Sequence, residues 1–193
     1  HMSFFYDLKV EGHEDKRYAK FMNSFLGRMS KEQRQAWDAA YGPKNKAFLN
    51  ADLKGKELVR WKYQRYMKDY LRCVAAVDDG IGRILDTLDK LDLSENSLVI
   101  YSSDQGFYLG EHGWYDKRWI YEESLKMPLV MRWPEKIKPG TIVKKLTQNI
   151  DFAPFFLEAA EAEVPEEIQG MSLMPLFKKP NPKWRNAIYY HYY

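Results

Sequence analysis

The sequence predicts an α/β fold in which a helical N-terminal part is followed by strands of a mixed sheet. Two observations carry this expectation. Up to Leu93 apolar residues recur at helical spacing, whereas beyond it short apolar runs alternate with turn signals. One such run, Leu98-Val99-Ile100-Tyr101, stops abruptly at Asp104-Gln105-Gly106 and a polar, glycine-punctuated loop. That is the layout of a parallel strand delivering side chains to the carboxyl edge of an α/β sheet, where such folds place their chemistry.

The helical part is justified element by element. Ser30-Lys31-Glu32-Gln33 fits a capping box, in which the serine caps an amide and Gln33 reaches back. The helix it opens is expected to stop at Gly42-Pro43, two residues that terminate helices by different means. Glu57 to Leu88 reads as one long helix, because Leu58, Trp61, Tyr66, Tyr70, Val74, Val77, Ile81, Ile84 and Leu88 form a single broad apolar stripe. Gly80 and Gly82 interrupt it at a cost of about 1 kcal/mol each relative to alanine, for which close packing against a neighbour is the usual reason. Asp78 and Asp79 point about 100° apart, so two solvated carboxylates are a simpler reading than a shared ligand. Cys73, in Arg72-Cys73-Val74-Ala75-Ala76, reads as a buried, inert thiol rather than a nucleophile.

Past Leu93 the elements shorten. Ser97 to Tyr101 is a strand, Tyr121 to Leu125 a short helical turn and Pro128 to Arg132 a second strand. Lys138-Pro139-Gly140-Thr141 turns the chain into Ile142 to Leu146, which can pair at the sheet margin. Asp151 is placed to cap a helix from Phe152 to Ala160, with Pro154 tolerated in its first turn. Val164-Pro165 ends that element, and Gly170 to Phe177 forms a compact apolar segment before the proline-rich stretch Lys179-Pro180-Asn181-Pro182. Two or three strands leave sheet edges uncovered, and self-association through such an edge follows as an expectation.

Composition narrows the function. At 193 residues the chain is long enough for one domain with a substantial core, and 45% hydrophobic with 16% aromatic residues excludes a disordered protein. A net charge of +3, with basic residues interspersed among acids, argues against nucleic acid or membrane attraction. No run approaches the roughly 18 apolar residues of a membrane span, and no signal-peptide pattern opens the chain. His1-Met2 reads as an expression-tag remnant, which leaves the natural start undefined. A single cysteine, Cys73, excludes an internal disulfide and a multi-cysteine zinc site.

The strand-end loop carries the chemistry. Asp104 offers a carboxylate and Gln105 an amide oxygen, hard donors suited to Ca²⁺ or Mg²⁺ and poorly suited to Zn²⁺. Ca²⁺ takes about six to eight oxygens, so further ligands have to come from elsewhere. Lys117 follows at a distance that lets the loop return it to the strand end, where it can neutralise an anionic oxygen; taken alone it reads more readily as a surface charge. His112, in Gly110-Glu111-His112-Gly113, either donates to the same anion or pins the loop.

Together these residues resemble a known family. Ser103-Asp104-Gln105-Gly106, Gly110-Glu111-His112-Gly113, Asp116-Lys117-Arg118 and Tyr121-Glu122-Glu123-Ser124 look like the second signature region of the type I sulfatases. The likeness continues through Pro128-Leu129-Val130, Gln148-Asn149-Ile150-Asp151-Phe152-Ala153-Pro154 and Gln169-Gly170-Met171-Ser172-Leu173. It covers residues 60 to 193 well and the opening helices loosely, and it is nearest to members acting on sulfated sugars, such as N-acetylglucosamine-6-sulfatases. The resemblance implies an alkaline-phosphatase-like fold, hydrolysis of sulfate esters, a bound Ca²⁺ and a formylglycine nucleophile. It implies Asp104 and Gln105 as metal ligands and Lys117 as the residue that holds sulfate. His112, and His191 in the aromatic tail Ile188-Tyr189-Tyr190-His191-Tyr192-Tyr193, are the expected substrate contacts; the tail is equally a subdomain strand cut in mid-course. Export to periplasm or lysosome is likewise what the family implies.

The sequence also departs from the family pattern. Gln105 stands where many members carry Asn or His. The formylglycine motif Cys/Ser-x-Pro/Ala-x-Arg does not occur, since Cys73 is followed by Val74-Ala75-Ala76, and the early Asp-Asp pair is absent. Residues 1–185 are thus expected to be the C-terminal portion of a sulfatase catalytic domain, with 186–193 opening a truncated C-terminal subdomain. Such a fragment is expected to be inactive alone. A phosphatase or phosphodiesterase of the same superfamily is the rival enzyme, weakened by Gln105 in place of a zinc-binding histidine. A non-catalytic module binding sulfated glycans is the alternative of another class.

Overall fold

The computed structural model describes residue 9, residues 16–178 and residues 182–191. His1-Met2, Lys179-Pro180-Asn181 and Tyr192-Tyr193 lie outside the described residues. The chain divides into two units, residues 1–75 with 107–116 and residues 76–106 with 117–193.

The first unit is built on helices α1 (Lys16–Leu26), α2 (Lys31–Asn50) and the N-terminal part of α3 (Gly55–Lys90). The capping box forms as expected: Gln33 N donates to Ser30 Oγ at 3.2 Å and Ser30 N to Gln33 Oε1 at 2.9 Å. The expected stop at Gly42-Pro43 does not occur, because α2 runs on through Pro43 to Asn50. An interior proline costs about 3 kcal/mol, and here packing offsets it. Phe48 is buried and stacks on Trp61 with centroids 4.0 Å apart. Buried Asn45 accepts from Arg65 Nη1 at 3.1 Å, and Tyr41 Oη donates to Asp69 at 3.1 Å. Arg65 also bonds Asp69 at 2.7 Å, so α2 and α3 are joined by an aromatic stack and a polar cluster together.

The long helix was legible and is slightly longer than expected. Its stripe, however, is not uniformly covered among the described residues. Val74, Val77 and Ile84 are 44%, 50% and 60% exposed. Cys73 lies in the same open stretch and is exposed, which corrects the expectation of a buried thiol: its apolar neighbours in sequence are themselves uncovered. A methyl group at Gly82 would meet nothing within 4 Å, and one at Gly80 only the end of the Arg83 side chain at 3.6 Å, so neither glycine admits a close neighbour. Asp78 and Asp79 are exposed.

The second unit holds strands β1 (Val99–Ser102) and β2 (Leu129–Arg132), paired antiparallel with Val99 opposite Arg132 and Ser102 opposite Leu129. The neighbour of β1 therefore runs opposite to the parallel arrangement expected, and the alternating burial of β2 is that of a half-covered antiparallel strand. Helices α4 (Glu122–Leu125), α5 (Phe152–Ala159) and α6 (Met174–Lys178) complete it. The core gathers Trp133, Phe155, Leu173, Met174 and Leu176, with Ile100 and Met131 packed against it from the strands and Leu98 from just before β1. Ile142 to Leu146 forms no strand. Ile142 is 81% exposed, and the Leu146 carbonyl is taken by Trp184 Nε1 at 2.6 Å instead of a ladder partner. Asp151 does not cap α5 with its side chain; its carboxylate closes the 3-10 turn Asn149–Asp151 by accepting from Gln148 N at 2.8 Å. Among the described residues no helix is long and apolar enough to cross a membrane.

Candidate active site

The strand-end loop is fixed by four short contacts within the second unit. Ser103 Oγ donates to the Gln105 carbonyl at 2.8 Å, tightening the turn directly after β1. Asn149 Nδ2 donates to the Asp104 carbonyl at 2.9 Å and holds it from across the unit. Gly106 N donates to the Ser124 carbonyl at 2.8 Å. Ser124 Oγ then donates to the Lys117 carbonyl at 2.8 Å. Buried Ser124 thus joins the segment that carries Asp104 and Gln105 to the one that carries Lys117.

Gly106 makes this approach feasible. A methyl group there would stand 2.1 Å from the Glu123 carbonyl oxygen and 2.9 Å from its carbon, inside any real contact distance. The glycine is required by close backbone approach rather than by an unusual dihedral angle.

Asp104 is exposed and Gln105 half-buried, so the carboxylate and the amide flank an accessible strand end. Their donor set is oxygen alone, which fits a hard cation, and two side chains are too few to complete a Ca²⁺ shell. No cluster of three or more His, Cys, Asp or Glu side chains able to hold a metal occurs among the described residues. Lys117 lies in the same unit as Asp104 and Gln105, with its backbone anchored by Ser124.

The two histidines sit in different settings. His112 belongs to the first unit, in the 3-10 turn Glu111–Gly113 with φ 59°. Its ring lies edge-on to fully buried Tyr108, centroids 6.0 Å apart, and 5.7 Å from Trp114. His191 belongs to the second unit, exposed and 6.3 Å from the Tyr189 ring. Tyr190 Oη donates to the Arg118 carbonyl at 2.8 Å, which brings the tail beside the residue following Lys117.

Sequence reasoning singled out Asp104, Gln105 and Lys117 and passed over Ser124 and Asn149 as individual residues. Both lie inside runs that matched the family pattern, which was the only signal available for them. It also missed the depth of Asp151, which is fully buried. Burial presses its carboxyl upward, but hydrogen bonds from Arg185 and from the amides of Met171 and Gln148 outweigh that and hold it below the ordinary value.

Comparison with known proteins shows what the chain resembles. Residues 110–193 match the family described as N-sulphoglucosamine sulphohydrolase, C-terminal. The chain is 47% identical to the N-acetylglucosamine-6-O-sulfatase of Bacteroides thetaiotaomicron, over 97% of this chain and 35% of that protein. It superposes with a TM-score of 0.89 and 44% identity on a protein solved in complex with its substrate D-glucosamine-2-N,6-O-disulfate, covering 100% of this chain and 41% of that one. A phosphonate monoester hydrolase from Silicibacter pomeroyi follows with a TM-score of 0.62 and 29% identity, covering 70% of this chain and 26% of that one. The chain therefore spans about a third of the length of the sulfatase it matches along nearly all of its own residues. On sequence and fold alike, the chain belongs to the sulfatase family, within an alkaline-phosphatase-like fold.

Proposed function

We propose that this chain is part of a sulfatase that removes sulfate from a sulfated carbohydrate, and that it supplies one side of the catalytic site. Asp104 and Gln105 give oxygen ligands to a Ca²⁺ whose remaining ligands lie outside this chain, and Lys117 holds the sulfate. The bound cation supplies charge stabilisation for the sulfate oxygens. Lys117 adds a fixed positive charge where negative charge develops, and it does so without rearrangement because its backbone is already held. His191, exposed beside Tyr189 on the tail, is assigned to sugar hydroxyls, and His112 is the second expected substrate contact. The formylglycine nucleophile is assigned to sequence outside this chain.

The observation that carries this reading is the Ser124 bridge, which fastens the metal-ligating and anion-holding segments to one buried residue. The named substrate of a 44% identical structure, a glucosamine disulfate, supports the sugar class. The likeness to a phosphonate monoester hydrolase favours a second reading, cleavage of phosphorus esters, which the amide at Gln105 disfavours for zinc-dependent chemistry. Export from the cytoplasm accords with the family, and the outer edges of β1 and β2 are where a further strand or a second copy adds on.

The test compares this chain with a form extended upstream to the full sulfatase domain. Ca²⁺ binding by calorimetry and release of sulfate from glucosamine 6-sulfate should appear only in the extended form, and both should fall with Asp104→Ala. Lys117→Ala should abolish sulfate release while Ca²⁺ binding persists. Preferential hydrolysis of the corresponding phosphate ester would establish the second reading. Tight Ca²⁺ binding by this chain alone, without hydrolysis in either form, would favour a binding module.

A further inference from the structure

We propose that Arg185, Asp151 and Asn149 are positioning residues, through which the C-terminal segment sets the place of the Asp104 loop. The functional meaning rests on the reading of Asp104 as a metal ligand, whereas the linkage itself stands on geometry alone.

The 3-10 turn Asn149–Asp151 faces both ways. On one side Asn149 Nδ2 donates to the Asp104 carbonyl at 2.9 Å. On the other, fully buried Asp151 accepts from Met171 N at 2.9 Å, from Arg185 Nη2 at 2.7 Å and from Arg185 Nη1. Gly170 presses against the same turn so closely that a methyl group there would lie 2.0 Å from the Ile150 carbonyl oxygen. The turn therefore has little freedom to adjust, and its two ends move together.

The segment that carries Arg185 is itself fastened twice more. Trp184 Nε1 donates to the Leu146 carbonyl at 2.6 Å, and Tyr190 Oη to the Arg118 carbonyl at 2.8 Å. One stretch, residues 184–190, thus reaches the Asp104 loop through the turn and the Lys117 loop through Arg118. A buried ion pair is poor evidence of stability, since apolar replacements often do as well, but a bidentate pair fixes direction. Direction is what a metal-ligating loop needs from its support.

Amide hydrogen exchange on the full chain tests this without metal or substrate. The amide of Gly106, bonded to the Ser124 carbonyl, and that of Gln105 read the loop. Asn149→Ala should lower the unfolding midpoint by no more than the loss of this one bond, while exchange at 105–106 accelerates by roughly twofold to tenfold, the range of one net hydrogen bond. Asn149→Asp, which sets an acceptor against the Asp104 carbonyl, should be faster still. Arg185→Met should accelerate exchange at 148–151 and at 105–106 together, and Arg185→Lys should recover part of both. Faster exchange at 182–191 with 105–106 unchanged would overturn the proposal. If Arg185→Met does not fold, unchanged exchange at 105–106 in both Asn149 variants overturns it equally. In the extended form Asn149→Ala should also weaken Ca²⁺ binding. Absence of Ca²⁺ binding by the unsubstituted extended form would refute the ligand reading and leave the exchange result to judge the linkage.

Discussion

Replacing Gly106 by alanine adds one methyl group at the most confined point of the strand-end loop. That carbon would sit 2.1 Å from the Glu123 carbonyl oxygen and 2.9 Å from the carbonyl carbons of Glu123 and Ser124. Relief requires one of two backbones to retreat by about an ångström, since carbon contacts settle near 3.5 Å. Forced backbone shifts of this kind cost about 1–3 kcal/mol, and the Gly106 N to Ser124 carbonyl bond, worth about 1 kcal/mol net, is lost with them. The sum is about 2–4 kcal/mol. At about 2–4 °C per kcal/mol for a chain of this size, the melting temperature should fall by roughly 4–16 °C. Gly82→Ala is the matched control, the same methyl added inside α3 where nothing lies within 4 Å. It should stabilise by about 0.5–1 kcal/mol through helix propensity. Urea unfolding of both variants, followed by circular dichroism, measures the contrast. A Gly106→Ala midpoint within 0.5 kcal/mol of the parent, or equal shifts for both variants, would refute the reasoning, with 0.5 kcal/mol being about the scatter of neutral substitutions.

Other perturbations read other parts of the fold. Ser124→Ala removes the bond to the Lys117 carbonyl and should cost about 1 kcal/mol of stability in urea unfolding, with a disproportionate fall in kcat for sulfate release by the extended form. Asp151 has its carboxyl held below the ordinary 3.8, so the stability it contributes is present above that value and is lost as pH falls through the lower folded value. Acid unfolding should therefore show an added pH dependence below about pH 4 that Asp151→Asn abolishes. Tyr66 is pushed up to about 12 by burial and by its neighbour Tyr70. Absorbance titration near 295 nm should show a late-ionising tyrosine that is missing from Tyr66→Phe, and stability should drop as pH rises from 10 toward 12.

The long helix, the short turn at Tyr121 to Leu125 and both strands were legible because each depends on local periodicity or local turn chemistry. What escaped depends on partners distant in sequence. Pro43 signals a helix end by every local rule, and only the Phe48–Trp61 stack and the Asn45–Arg65 bond keep α2 intact past it. Ile142 to Leu146 follows a turn signal and opens on two β-branched residues, yet the Leu146 carbonyl is bonded by Trp184, 38 residues away, and not by a ladder partner. Asp151 stands at a helix start and reads as its cap, while its true partner, Arg185, lies 34 residues away. Cys73 reads as buried because its neighbours are apolar, and sequence cannot say that those neighbours are themselves uncovered.

The same distinction explains why Asp104 and Lys117 were recognisable and Ser124 was not. A carboxylate at a strand end and a lysine after a glycine-rich loop are weak signals singly, and they point to chemistry only in combination with the motifs around them. A serine announces nothing until both of its bonds are known. Yet Ser124, through its carbonyl and its hydroxyl, converts two separate loop segments into one frame. Electrostatic stabilisation depends on charges being in place before the reaction, so a displacement of either segment would cost more in rate than in stability. On the proposed reading of Asp104, Gln105 and Lys117, the contacts of Gly106, Ser124 and Asn149 set whether the oxygen ligands and the lysine face a sulfate at the same time.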